Sequence, residues 1–452
     1  MADERILLIS YDFPPGLSGV RRIVKFAKYL PEFGFSPLAL AARPDMRMPL
    51  DMDALQEVID AGYPVHRTPS LDAYQAWRSA RRLPALLRAA LPRRLGGGVA
   101  RHTQTTTDNH GQPWTKNDTA ARLLGAVARF CLVPDDRVGW APFAIAEASR
   151  ILASQRVGVI LTSSYPNSAH LAGLWLKKRF DVKWIADFRD GWTQNPYFGR
   201  GPTPAHEWLN RWLERRVAQR ADALITVSEP IARHLERLAG AGKVRVIANG
   251  FDPDDFPPRR ESGNSDSACG KFTIAYTGTL FMQRSPEHFF GAVRALLDEY
   301  PGIADHFQVV FMSRFKPEHT AAVRDLGLEN VVRNAGLGSH RDALRLQLSA
   351  DALLVLEGAA ENAEIMLTQK IFEYLAAGKP VLAVAPPGAL ASIVRRSGAG
   401  VVADPGNIFQ IKERLYELFN GQTRFNPDHE FIARFHRREL ARELAETIRS
   451  IK

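Results

Sequence analysis

Cysteine is scarce in this chain: among 452 residues, only Cys131 and Cys269 carry a thiol. Two thiols exclude a disulfide framework and also a zinc site built from four thiolates. Such scarcity is typical of proteins that work in a reducing compartment, so we expect a cytoplasmic protein.

Long hydrophobic runs are also missing. The most apolar stretch, residues 380–394, is interrupted by Pro386, Pro387 and Gly388, and it falls short of the roughly 20 residues that span a bilayer. The first apolar run, residues 5–10, is too short for a secretory signal. We therefore expect a protein that can touch a membrane but does not cross it.

No compositional extreme marks the chain as fibrous or disordered. Hydrophobic residues make up 45% and charged residues 24% of the sequence, which is close to the globular average. At roughly 100–200 residues per domain, the length predicts two or three cores. The net charge of +10 favours non-specific contact with polyanions, but no recognisable nucleic-acid motif accompanies it, so we expect no specific nucleic-acid partner.

One segment has no acidic residue at all, between Ala73 and Thr107. Arginines and apolar side chains alternate there, and this pattern is typical of a helix that lies on an anionic membrane surface. A solvated surface helix with a buried leucine face has the same pattern, and both interpretations stay open. The segment contains seven arginines: Arg78, Arg81, Arg82, Arg88, Arg93, Arg94 and Arg101.

Short apolar runs alternate with helix-length segments in two successive series, which predicts βαβ units and parallel sheets. The first series of predicted strands is 5–10, 36–41, 157–162, 183–187, 223–227 and 244–247; the second is 272–277, 307–313, 351–356, 381–384 and 400–402. We place the first domain at 1–252, with an arginine-rich insertion at about 73–119. A linker at 253–270, a second domain at 271–427 and a final helix at 428–452 follow.

Glycine turns enter predicted helices at two places. Gly16 and Gly19 follow the first strand and precede Arg21, while Gly278 follows a later strand and precedes Arg284. The backbone N–H groups at such a helix start can hold an anion, and the arginines would add positive charge. A tight turn without a ligand needs the same glycines, so the first loop by itself does not decide between the two.

Charged side chains also follow strands in the first half. Asp187, Arg189 and Asp190 come at the carboxyl end of a predicted strand, where open α/β sheets bind ligands. They favour recognition of a hydroxyl or a phosphate, although a structural ion pair would look the same. His170 follows another strand end, and it is either a catalytic candidate or a satisfied helix residue.

In the second half, Lys370 and Glu373 lie three residues apart at a predicted helix start, and Gly378 ends that helix. Residues at this spacing are neighbours on a helix. An ordinary surface ion pair is therefore the alternative to a binding site.

Taken in order, these motifs resemble the family 4 glycosyltransferases. The resemblance rests on four segments: 13–15 with Gly19 and Arg21; 248–252; 276–279 with 284–286; and 370–381. It implies an α/β GT-B fold, in which two Rossmann-like domains with parallel sheets face each other across a cleft. It also implies transfer with retention of configuration, a nucleoside diphosphate sugar as co-substrate, and no obligatory cofactor or metal.

The resemblance further implies site residues. Glu373 matches the residue that holds the donor ribose, and Lys370 falls, with Thr368 and Gln369, where the donor is gripped. Arg284, beside Gly278, matches a basic residue that neutralises the diphosphate. The Gly19 loop with Arg21 would close over the donor from the first domain. We therefore expect Arg284 and Lys370 to act in catalysis, and the acceptor side to contain His170, Asp187, Arg189 and Asp190, of which His170 and Asp190 are also catalytic candidates.

Two departures from the family pattern concern the same site. The first glutamate of the family's pair is replaced by Ile365, with Glu364 one place earlier as a candidate donor ligand. The basic residue usually found just after the Gly278 turn is replaced by Thr279 and Leu280. Arg314, Lys370 or an arginine of the first domain would have to supply that charge.

The sequence therefore predicts a cytoplasmic glycosyltransferase whose acceptor is a lipid-linked or membrane-proximal glycan of polysaccharide biosynthesis. Residues 73–101 would contact an anionic membrane and hold the enzyme peripherally. The alternative is a non-catalytic protein that binds sugar nucleotides or polyanions.

Overall fold

Two parallel sheets, each covered by helices on both faces, build the chain. The computed structural model describes residues 4–16, 20–45, 50–71, 106–107, 113–114, 132–197, 203–257, 270–280 and 284–452. The arginine-rich segment 73–101 lies outside the described residues, as do Gly19 and residues 258–269 of the predicted linker.

The first sheet has seven strands in the order β3-β2-β1-β6-β7-β8-β9, and with its helices it forms the first domain. Its strands are β1 (Glu4–Ser10), β2 (Phe35–Ala42), β3 (Val65–Thr68), β6 (Val157–Ser164), β7 (Lys183–Phe188), β8 (Ala223–Thr226) and β9 (Val244–Val246). Its helices are α1 (Arg21–Tyr29), α2 (Met52–Ala61), α3 (Ala141–Ser154), α4 (Ala169–Arg179), α5 (Pro204–Arg220) and α6 (Glu229–Ala239). A separate antiparallel pair joins β4 (Thr106–Thr107) to β5 (Pro113–Trp114).

The second sheet has six strands in the order β12-β11-β10-β13-β14-β15, and it forms the second domain. Its strands are β10 (Phe272–Thr277), β11 (Phe307–Met312), β12 (Val332–Asn334), β13 (Ala352–Leu356), β14 (Val381–Val384) and β15 (Gly400–Ala403). Its helices are α7 (Glu287–Glu299), α8 (Pro317–Asp325), α9 (His340–Ser349), α10 (Lys370–Ala377), α11 (Ala389–Arg396), α12 (Ile408–Phe419) and α13 (His429–Ala433).

Each sheet is buried on both faces, which is why its strands are continuous apolar runs. In β1, Ile6 and Leu8 pack with α1, whereas Leu7 and Ile9 belong to the core under α3 and α4. In both sheets the strand order reverses beside the first strand, at β1/β6 and at β10/β13. Ligands of open α/β sheets bind outside the carboxyl ends of the strands at such a reversal.

The last helix, α14 (Arg437–Ser450), packs on α1 of the first domain. Leu440, Leu444 and Ile448 are buried against Ile23 and Phe26 there. The residue before the helix, His436, pairs with Phe251 at the end of the first domain. The chain therefore returns to its starting domain after the second sheet is complete.

A lysine at the crossing between the domains gathers three carboxylates. Lys25 Nζ lies 2.7 Å from Glu57, 2.8 Å from Asp252 and 2.6 Å from Asp255. These carboxylates lie close enough together to hold a metal ion, but the lysine ammonium already supplies their positive charge. Lys28 adds a second cation at 2.9 Å from Asp252. Burial opposes the charge on Asp252, yet the two lysines hold the pKa of its carboxyl well below the usual range.

The two domains contact each other through a short turn of the second domain, the 3₁₀ segment Ala363–Ile365. Ile365 is 3% exposed and belongs to the core of the first domain with Trp192 and Ile231. Ser228 Oγ donates a hydrogen bond of 3.4 Å to the Ile365 carbonyl. The neighbouring Met366 is partly buried against the same core, so this turn places apolar side chains of the second domain in the first.

Among the described residues, none of the helices combines the length and apolar character needed to cross a bilayer.

Candidate functional site

A lysine and a glycine meet where β10 ends and α10 begins. Gly278 has a φ of +110°, and a Cβ built on it would lie 2.9 Å from Lys370 Nζ. The ammonium also lies 3.9 Å from the centre of the Tyr276 ring, a cation–π distance. Glycine is required here both for the left-handed backbone and for the close approach of Lys370.

The Lys370 ammonium is buried and has no hydrogen-bond partner among the described residues. Burial, together with the positive charge of Arg284, lowers the pKa of Lys370 to about 7, although Glu357 and Glu373 oppose the shift. An unpaired buried cation is costly. The arrangement is suited to an anionic ligand, which would supply the missing partner.

Arg284, just before α7, is held by a buried glutamate at the end of β13. Arg284 Nε donates to Glu357 Oε2 at 3.0 Å, and a second guanidinium nitrogen lies 2.9 Å from the same oxygen. The hydroxyl of Tyr197, from the first domain, donates to Glu357 Oε1. Burial alone would lower the pKa of Arg284. The negative charge of Glu357 opposes this effect, and the pKa of Arg284 lies above its usual value.

Glu373 lies one turn into α10 and reaches toward α9. Its carboxylate is 3.1 Å from His340 Nε2 and accepts a hydrogen bond of 3.5 Å from Gln347. Burial opposes the charge, but the hydrogen bond from His340 holds the pKa of Glu373 below its usual value. The Glu373 side chain is 14% exposed, so it is not fully closed off from the cleft.

The segment between β13 and α10 carries the remaining donor-side candidates. Thr368 and Gln369 precede α10, and Gln369 occupies its N-cap position. Glu364 is exposed, and its backbone packs against Gly388. Ile365 is buried in the core of the first domain.

Asp187 was expected to bind the acceptor, and the structure contradicts this expectation. Its carboxylate is fully buried and pairs with the buried guanidinium of Arg22 at 3.0 Å. Ser163 Oγ donates to the same carboxylate at 2.8 Å. Asp187 therefore has no surface left for an acceptor, and its role is to tie α1 to β6 and β7.

His170 corrects a second expectation. Its ring is fully buried in α4, stacks on Phe188 with 4.8 Å between the ring centres, and lies 2.8 Å from Thr162 Oγ1 through Nδ1. Burial lowers the pKa of His170 to about 3. A buried imidazole of such low basicity is a poor general base, and its place is in the core.

Arg189 and Asp190 follow β7, and the Arg189 side chain is mostly buried, whereas that of Asp190 is accessible. Arg189 donates to the Tyr165 carbonyl at 2.9 Å, and its Nε lies 3.7 Å from Asp190. The Asp190 side chain is 42% exposed. Asp190 is thus the most accessible carboxylate of the predicted acceptor cluster.

Arg21, at the start of α1, lies 2.7 Å from Asp51 and 3.7 Å from Asp255. It also lowers the pKa of Glu373 in the second domain, after the effects of burial and His340. The structure therefore brings Arg21 toward the donor-side carboxylate. Gly19, the other predicted residue of this loop, lies outside the described residues.

Sequence reasoning missed Glu357, Tyr197 and His340. Glu357 directly follows the apolar run of β13. A charged residue at a strand end had identified Asp187 as a candidate, and the same pattern could have identified Glu357. Tyr197 and His340 lie in loop and helix-start sequence that carries no such signal. Their contacts join residues far apart in the chain.

Comparison with known families gives one match. The model described as Glycosyltransferase Family 4 matches residues 96–255, which is less than half of the chain. None of the curated proteins matches the sequence.

Solved structures resemble the whole chain. Sucrose-phosphate synthase from Thermosynechococcus elongatus has a TM-score of 0.63 at 14% identity, with 99% of this chain and 98% of that chain covered. HepE of Anabaena, in complex with UDP-glucose, has a TM-score of 0.60 at 14% identity, with 99% of both chains covered. The lipopolysaccharide outer core galactosyltransferase WaaB has a TM-score of 0.58 at 13% identity, again with 99% of both covered.

The predicted fold class is confirmed: two Rossmann-like parallel sheets in a GT-B arrangement. At 13–14% identity, these structures show the fold alone. The match to the Glycosyltransferase Family 4 model is a similarity of residues 96–255.

Proposed function

We propose that this protein is a glycosyltransferase that moves a sugar, with retention of anomeric configuration, from a nucleoside diphosphate sugar to a hydroxyl acceptor. The observation that carries the proposal is the buried Lys370 ammonium, unpaired among the described residues, at the carboxyl end of β10 and beside Arg284. Two cations at a strand-end crevice fit a diphosphate, which carries at least two negative charges. Retention rests on the family resemblance.

The donor would be held by groups that act on different parts of it. The Glu373 carboxylate, kept ionised by His340, can accept hydrogen bonds from the ribose hydroxyls. Lys370, Arg284 and the backbone N–H groups near Gly278 would face the diphosphate. Negative charge grows on the leaving phosphate as the glycosidic bond breaks, so cations fixed in advance lower the barrier. In this account, Glu357 is a positioning residue that orients Arg284.

The acceptor would bind on the first domain near Asp190. This carboxylate is accessible and lies on the loop after β7, where it can orient an acceptor hydroxyl. We further propose that the acceptor is lipid-linked or membrane-proximal, and that residues 73–101 keep the enzyme at an anionic cytoplasmic leaflet. That part rests on the acid-free, arginine-rich sequence.

A donor-turnover assay tests the function directly. The full chain is incubated with a panel of nucleoside diphosphate sugars, and release of the nucleoside diphosphate is measured with and without glycan acceptors. We expect release from one donor class, its loss in Lys370→Met, and retained donor binding with impaired transfer in Asp190→Asn.

Two outcomes would contradict this account. Donor binding without release, with every acceptor tried, would favour the alternative of a non-catalytic sugar-nucleotide-binding protein. Equal loss of donor binding in Asp190→Asn and Lys370→Met would remove Asp190 from the acceptor side.

A further inference from the structure

The last helix begins with a buried arginine, and two of its nitrogens have no partner in the part of the chain that the structure describes. Arg437 is 1% exposed, and its Nη1 and Nη2 atoms have no hydrogen-bond partner among the described residues. A buried guanidinium is ordinarily paired, because leaving its charge and its donors unsatisfied is costly. The site therefore needs an explanation that the fold alone does not supply.

Charged neighbours surround Arg437 without neutralising it. Burial and the charge of Arg22 lower its pKa to about 9, whereas Asp255 and Glu373 raise it. Asp255 is already engaged by Lys25 at 2.6 Å, and Glu373 by His340 at 3.1 Å. The nearby acids thus already have other partners, and neither is paired with the Arg437 guanidinium.

Three charged neighbours of Arg437 are partly exposed. The side chains of Arg21, Asp255 and Glu373 are 13%, 20% and 14% exposed, respectively. All three perturb the pKa of Arg437, so they lie within electrostatic range of its guanidinium. Partly exposed charged groups therefore lie near the buried guanidinium.

We propose that Arg437, assisted by Arg21, binds a phosphate group between α1, α14 and Glu373. A planar guanidinium with two free nitrogens matches the bidentate geometry of a phosphate. The inference rests on the proposed function only for the origin of that phosphate. It is either the diphosphate of the donor or a phosphate carried by the acceptor.

The test is calorimetric titration and thermal unfolding of the full chain with inorganic phosphate and with uridine, guanosine and adenosine diphosphates. The variants are Arg437→Gln and Arg437→Lys, and the matched control is Arg438→Gln, the next residue, whose side chain is 51% exposed and paired with Glu32. We expect phosphate affinity to fall at least tenfold in Arg437→Gln, to recover in part in Arg437→Lys, and to stay unchanged in Arg438→Gln.

The origin of the phosphate is read from a competition. If the donor supplies it, a saturating nucleoside diphosphate abolishes phosphate binding, and Arg437→Gln also weakens the nucleoside diphosphate tenfold. If the acceptor supplies it, inorganic phosphate still binds to the nucleotide-saturated protein, and Arg437→Gln leaves nucleotide affinity unchanged.

The same experiment separates this inference from the proposed function. Phosphate binding that depends on Arg437 in a protein that binds no nucleoside diphosphate would support the site and contradict the glycosyltransferase proposal. A phosphate response that is absent from the wild type, or equal in the wild type and Arg437→Gln, would overturn the site. If Arg437→Gln fails to fold, Arg437→Lys decides: it keeps the charge but loses the bidentate contact, so unchanged phosphate affinity would overturn the site as well.

Discussion

Lys370 is the residue whose ionisation should govern donor binding. Its pKa is about 7 in the free protein. At a pH equal to this pKa, half of the molecules carry the Lys370 ammonium, and only these can pair it with a diphosphate. A bound anion favours the charged form, so binding takes up a proton above this pH. Affinity for a nucleoside diphosphate should therefore fall, by up to about tenfold per pH unit, as the pH rises above the pKa of the free protein.

Calorimetry in buffers of different ionisation enthalpy measures this proton uptake. Lys370→Arg keeps its charge throughout the range, so its affinity should lose the pH dependence. A pH profile that is the same in the wild type and in Lys370→Arg would show that another group is responsible.

We expect Glu373, but not Glu364, to bind the ribose of the donor. Glu373 is held in the site by His340 and Gln347, whereas Glu364 is exposed. Glu373→Gln should weaken nucleoside diphosphate binding by roughly 1.5–3 kcal/mol, the worth of a hydrogen bond to a charged group. Glu364→Gln should leave the measured dissociation constant unchanged; equal losses in the two variants would assign Glu364 to the donor as well.

At the scale of elements, α14 is a helix of the first domain although it comes last in the chain. Leu444 is fully buried in the core that α14 shares with α1. Leu444→Ala should lower the free energy of unfolding of the first domain by about 2–5 kcal/mol, since it removes buried methyl groups and leaves a cavity. Urea denaturation measures the loss.

Glu446→Ala is the control on the same helix, because the Glu446 side chain is 56% exposed. Its effect should stay within about 0.5 kcal/mol. A similarly small loss in Leu444→Ala would mean that α14 does not stabilise the first domain.

At the scale of the whole molecule, Ile365 is one of the contacts between the two domains. Its side chain is buried in the first domain, and that burial contributes roughly 1.5–3 kcal/mol to domain closure. Ile365→Asp would place an unpaired charge there, so the domains should separate and the radius of gyration from small-angle X-ray scattering should increase. Ile365→Val keeps the contact and should keep the wild-type radius; an unchanged radius in Ile365→Asp would contradict this role.

The proposed membrane contact is also tested on the whole molecule, and the proposal rests on the sequence of residues 73–101. Each arginine near an anionic leaflet contributes on the order of 1 kcal/mol. The wild type should therefore sediment with anionic but not with neutral vesicles, and changing Arg81, Arg82, Arg93 and Arg94 to Gln should release it.

The control for this experiment changes four exposed arginines elsewhere to Gln: Arg150, Arg211, Arg324 and Arg345. It removes the same net charge and should leave sedimentation unchanged. If both quadruple variants behave like the wild type, residues 73–101 are not a membrane contact.

The fold could be predicted from sequence wherever a strand is a buried apolar run. Residues 272–277 and 381–384 were predicted with the bounds that the structure has. The edge strands β3 and β12 were missed, because Val65–Thr68 and Val332–Asn334 are short and mostly polar. An edge strand is paired on one side only, so its sequence shows little of the burial that identifies a central strand.

Some features of the candidate site could likewise be predicted from local sequence, and others could not. Local sequence determined where Gly278, Lys370 and Glu373 lie, because a glycine turn after a strand and the first turn of a helix are set by neighbouring residues. Only the tertiary structure decided that Asp187 and His170 are buried and that Glu357 holds Arg284. It also decided that two nitrogens of Arg437 have no partner in the described part of the chain. The type of a side chain is known from the sequence. Its burial and its ion-pair partner depend on residues far apart in the chain, so they are decided by the packing of the whole fold.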